Sequence, residues 1–132
     1  MKHVCAALLA VFLLSTAASA DNADLTLADK AAMQAAMQRH VDGQSVDGGI
    51  LYLDRETGEV HTLHPVTAHP MILAMQPHFV LCFDFRDDAG REVPVDYYMT
   101  RNGSSYTVFH TAVADRGLLG RLMESGRVQR LK

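Results

Sequence analysis

Four histidines fall within the stretch 61–78, at His61, His64, His69 and His78, with Met71 and Met75 set among them. Imidazole with thioether is a ligand set for copper, and imidazole alone suits zinc or nickel. The spacing matches neither a helical pair nor a zinc knuckle. On an extended strand His61 and His64 point to opposite faces. A metal would therefore require Pro65, Pro70 and Pro77 to fold the segment back on itself. The plain alternative is a strand with solvated histidines, and with Met71, Ile72, Leu73 and Met75 in the core.

A second candidate centres on His110. Strand alternation places it on an apolar face beside Val95, near Phe83, where an imidazole needs a partner. Tyr97 and Tyr106 share that face, so His110, Tyr97 and Tyr106 form the expected ligand-binding set, a polar handle at the floor of a pocket between sheet and helix. A structural bond to a carbonyl is the plainer role for the same ring. Cys82 sits across from Asp96. An acidic neighbour disfavours the thiolate, and His110 points the other way, so a cysteine–histidine enzyme is not expected. Asp84, Asp96 and Tyr98 share Cys82's face, where solvated sheet residues are the common case. The sequence offers no serine–histidine–aspartate arrangement and no phosphate loop. No catalytic residue is assigned.

These side chains need a scaffold, and the pattern supplies one. Thr26 and Asp29 stand in capping-box relation. The Ala-, Met- and Gln-rich body that follows carries an apolar stripe at Met33, Met37 and Val41, flanked by Ala36 and His40, and Gly43 is the expected stop. Ile50–Leu53 and Val60–Leu63 then read as strands about an acidic loop with Gly58. The proline-broken stretch after them reads as an edge strand or irregular crossing. Three runs, 78–86, 92–100 and 105–113, carry the clearest strand alternation.

Register follows from burial, because a one-residue slip turns every side chain over. The Asp87–Gly90 turn pairs Phe83 with Val95 and Arg86 with Glu92. An Asn102-Gly103 turn pairs Met99 with Tyr106, Tyr97 with Val108 and Val95 with His110. Asp115 can cap a short last helix bearing Leu118, Leu119, Leu122 and Met123, closed by Gly126. The expected fold is α+β: an N-terminal helix packed on a curled antiparallel sheet of four to five strands, then a short C-terminal helix.

That order, with the loop Leu53-Asp54-Arg55-Glu56-Thr57-Gly58-Glu59-Val60, resembles the cystatin-like group of small α+β domains, including exported PepSY-type modules. The resemblance covers nearly the whole chain after residue 20. It implies an inhibitor, a ligand pocket or an assembly module, and it assigns no residue a role.

The address comes from the first residues. Lys2 and His3, the apolar run Ala6–Leu14 and the small residues Ala18-Ser19-Ala20 have the order of a secretory signal peptide. Residues 1–20 are read as that signal and 21–132 as a single domain, periplasmic or secreted. The run is shorter than the roughly 20 residues a membrane span needs, so no span is expected after cleavage. Formal charge is −3 for the whole chain, which offers no basic face for nucleic acid. Cys82 is then the only mature cysteine, and burial is expected for it.

Together these point to a non-catalytic binding or protein-interaction module whose partner is a protein or a small ligand, with a homodimer left open and no resident cofactor. The contact surfaces expected are Val80, Tyr98 and Phe109 on the sheet's second face and an open edge near Leu63. The alternatives are a copper or zinc protein through residues 61–78 and a small-ligand pocket or enzyme at His110.

Overall fold

The capping box expected at Thr26 is formed. The Asp29 amide donates to Thr26 Oγ1 at 3.0 Å, and the Thr26 amide donates to Asp29 Oδ2 at 3.2 Å. This fixes the start of α1, Leu27–Gln44. The fold is seen in a computed structural model that describes residues 25–131; the expected signal peptide, residues 1–20, lies outside the described residues. Met33, Ala36, Met37 and Val41 are buried, as the stripe requires. The helix runs one residue past Gly43, because Gly43 keeps a helical backbone and Ser45 takes the extended cap.

A hairpin not read from the sequence follows. β1 (Ser45–Val46) pairs with β2 (Gly49–Leu53) across Asp47 and Gly48, whose φ values of 51° and 84° are the left-handed pair a two-residue hairpin loop needs. Four longer strands continue: β3 (Val60–Met75), β4 (His78–Arg86), β5 (Glu92–Asn102) and β6 (Ser105–Val113). The sheet is an open antiparallel meander in the order β1-β2-β3-β4-β5-β6. A short β7 (Gln129–Arg130) pairs with β3. The strand count therefore exceeds the four to five expected.

The excess is β1 and β7; the proline segment lengthens β3 without adding a strand. As expected it has an open edge, but it is a paired strand on its other side: β3 pairs with β4 from His64↔Arg86 to Met75↔His78, with register breaks between Pro65 and Thr67 and between Ala68 and Ile72. A proline removes one ladder donor, and bulges are where strands tolerate that. On its other side β3 meets β2 only up to Leu63 and β7 only from Leu73. Pro65 and Pro70 fall in the gap between them.

The β4–β5 register is the one expected, with Phe83↔Val95 and Arg86↔Glu92. The β5–β6 register is not. The turn centres on Gly103 and Ser104, so Met99 faces Val108 and Arg101 faces Tyr106. A bulge then leaves Phe109 over, and pairing resumes as Tyr98↔His110 and Val95↔Val113. One extra residue reverses the faces beyond it, which moves His110 away from Val95.

Two cores result, one on each face. On the first, α1 packs Met33, Met37 and Val41 against Ile50, Leu63, Phe79, Leu81, Phe83, Phe85, Val95, Tyr97, Met99 and Tyr106. On the second, a smaller cluster of Leu73, Val80, Cys82, Tyr98 and Ala112 lies under Leu119 and Val128. Leu119 belongs to α2 (Arg116–Glu124), capped by Asp115 as expected. No helix among the described residues is long and apolar enough to cross a membrane.

Candidate functional site

The expected ligand set is not assembled. His110 is exposed and lies beside Tyr98, with ring centroids 5.4 Å apart, on the face opposite Tyr97. The histidine that does meet Tyr97 is His40 of α1, edge-on at 5.5 Å. Burial lowers the His40 pKa and raises that of the Tyr97 hydroxyl. Tyr106 has a different task. Its hydroxyl donates to Asp29 Oδ1 at 3.2 Å, and Arg101 donates to the same oxygen at 2.9 Å. The bonds from Thr26 and Arg101 hold the Asp29 carboxyl down at about 2. This cluster ties the β5–β6 hairpin to the start of α1.

The histidines of 61–78 are held apart. His61 lies 3.8 Å from Glu59 and stacks on Tyr52. His64 bonds Asp88 at 2.9 Å, and His69 bonds Asp84 at 2.6 Å. His78 bonds Thr100 Oγ1 at 3.0 Å and meets Phe109 edge-on. Met71 is exposed, whereas Met75 and His78 line an open groove of about 630 Å³ with Pro77, Leu122 and Arg127. Among the described residues no three histidine, cysteine or carboxylate side chains converge.

The second face hides a polar centre. Asp96 is 1% exposed and accepts from Arg116 Nη1 at 3.0 Å; the same nitrogen lies 3.8 Å from Cys82 Sγ. Burial, followed by the Asp96 carboxylate, pushes the thiol up to about 12. Burial also raises the Tyr98 hydroxyl to about 12. At neutral pH the cysteine is a protonated, packed side chain, in keeping with the burial expected. The sequence placed Cys82 beside Asp96 but left out Arg116, the first residue of α2, whose charge next to an N-cap was the available signal. Val80 and Tyr98, expected as contact surface, are covered by α2.

What α2 leaves uncovered is the β2 end of the same face. Leu51 pairs with Thr62, Leu53 with Val60 and His64 with Arg86, so these side chains share the face of Val80 and Cys82. Leu51, Leu53 and Val60 are 57, 56 and 64% exposed. Gly49 lets the strand sit close, since a Cβ there would come within 2.6 Å of the Thr62 methyl carbon.

Besides the outer sides of the two-residue strands β1 and β7, three stretches of strand edge lack a strand partner among the described residues, and they differ in chemistry. The β3 gap from His64 to Ile72 carries Pro65 and Pro70, is broken in register, and has its His69 carbonyl taken by Gln34 Nε2 at 2.9 Å. The β6 edge is bulged at Phe109 and lies against α1, with Arg39 reaching Ser105. Prolines, bulges and coverage are the devices that blunt edges. The third is β2, where β1 pairs only with Gly49 and Ile50. Leu51-Tyr52-Leu53 is left without proline, bulge or charge. Leu63, expected near the open edge, is itself buried and paired with Ile50; the edge lies one strand further out.

Comparison of the chain with models of protein families, with curated proteins and with solved structures found no match.

Proposed function

We propose that this is an exported, non-catalytic protein-interaction module that takes an extended segment of another chain along β2. The observation that carries this reading is the contrast among the three edges. Two bear the features that prevent strand addition, and the β2 edge at Leu51–Leu53 bears none and is flanked by exposed Leu51, Leu53 and Val60. Strand addition draws affinity from main-chain bonds and specificity from alternate side chains. The order of residues 2–20 supports export to the periplasm or beyond. The order of one helix followed by an antiparallel meander supports a cystatin-like kinship as part of the same proposal.

The test is a titration of isotope-labelled protein with a capped peptide of alternating valine and threonine, followed by amide NMR. Shifts concentrated at residues 51–53 and 60–62 are expected. Shifts along Ser105–Val113 instead, or none at millimolar peptide, would reject the reading.

A further inference from the structure

The turns that bracket β2 carry a charge pattern that selects among partners. Asp47 stands before the strand, and Asp54, Glu56 and Glu59 follow it, against a single cation, Arg55. Asp54 is fixed as an anion, since its carboxylate accepts from the Glu56 and Thr57 amides at 2.8 and 3.2 Å, and those bonds lower its pKa. Glu59 lies 3.8 Å from His61, and Asp47, Arg55, Glu56 and Glu59 are all exposed. Carboxylates thus follow the apolar window Leu51–Leu53 directly, and Asp47 stands on its other side beyond the two residues that β1 covers.

We propose that the segment accepted at β2 is cationic, an extended strand with alternating apolar residues over three or four positions and lysine or arginine at both ends. This rests on the reading of β2 as the acceptor edge. Apolar side chains of the incoming strand would lie beside Leu51, Leu53 and Val60. Its flanking cations would reach Asp47 at one end and Glu56 or Glu59 at the other.

Charge argues against a second copy of the chain as occupant. A two-fold antiparallel pairing centred on Tyr52 sets Leu51 against Leu53 of the copy. It also runs Arg55–Thr57 alongside the copy's Asp47–Gly49, which sets Glu56 next to the copy's Asp47. β1 already occupies Gly49 and Ile50 on that edge, so the shared ladder would be limited to Leu51–Leu53. So short a ladder falls far below the area of a stable dimer, on the order of 1,200 Å² or more.

The experiment selects a random dodecapeptide library on residues 21–132, with the L51D/L53D variant as the counter-selection and light scattering on both proteins. Peptides that bind the wild type alone, alternate apolar residues and carry excess lysine or arginine at their ends are expected. Exchanging those cations for glutamate should weaken binding about ten-fold at low salt, with the gap closing as salt is raised. In the D47K/E56K/E59K variant, acidic ends should become the preferred ones. Leu51-dependent peptides with neutral or acidic ends would overturn the cationic assignment and leave the acceptor edge standing. No enrichment over the variant would overturn both. A dimer lost in L51D/L53D would show that a second copy, not a cationic segment, is the occupant.

Discussion

The two faces of the sheet are finished differently. On the first, α1 brings a full stripe, and residues from five strands close around it with Asp29, Arg101 and Tyr106 fastening the helix start to the far hairpin. On the second, the nine residues of α2 bury only Leu119 fully, lean on one ion pair to Asp96, and stop short of β2. A face that is covered throughout stabilises the fold. A face covered over half its width, with apolar side chains left at the open edge, leaves surface for something else.

That contrast can be broken by mutation, and the largest effect belongs to the first face. Phe85→Ala should destabilise the protein by roughly 3–5 kcal/mol, the usual range for a buried aromatic, with every spectroscopic probe of denaturant unfolding moving together. Arg116→Ala should follow at about 2 kcal/mol, because it strands a buried carboxylate while water still reaches the half-exposed guanidinium site. Its loss should be local: amides of 116–128 exchange faster and Cys82 becomes open to alkylation, while α1 stays protected. Global unfolding in that variant would mean that the two faces form one cooperative unit.

Smaller again is the effect of acid on the helix start. Asp29 is depressed from 3.8 to about 2. Its contribution is therefore full above about pH 4 and is lost as pH falls through about 2. Asp29→Asn should remove that acid-dependent step from a helix-melting curve followed by circular dichroism, and an unchanged step would show that the cluster does not fasten α1. The smallest expected effect on stability is at β2. Leu51→Lys should change it by no more than about 0.5 kcal/mol, as for exposed positions generally, yet abolish peptide-induced shifts. A large destabilisation there would make Leu51 part of the core and remove the contrast.

The first face was legible from the sequence because periodicity and capping both act locally. Met33, Met37 and Val41 sit at helical spacing, the Thr26–Asp29 box needs only four residues, and one turn fixes the β4–β5 register. The His110 site was misplaced for a physical reason. A bulge inserts a residue without breaking the alternation on either side of it, so Val108 and Ala112 look equally inward although their side chains lie on opposite faces of the sheet. The proline segment was underestimated likewise, since prolines at bulges and along an unpaired edge do not prevent a strand from pairing on its other side. The Asp96–Arg116 pair joins β5 to the helix after β6, and no spacing rule reaches that far. The β2 edge was read one strand too far in, because the Asp47-Gly48 hairpin that leaves Leu51–Leu53 open was not recognised.

The most direct measurement is hydrogen exchange at single-residue resolution, with and without a peptide recovered by the selection. The peptide should slow exchange at Leu51–Leu53 and leave His64–Ile72 and Ser105–Val113 unchanged. Protection along β6 or the β3 gap, with Leu51–Leu53 exchanging as before, would contradict it.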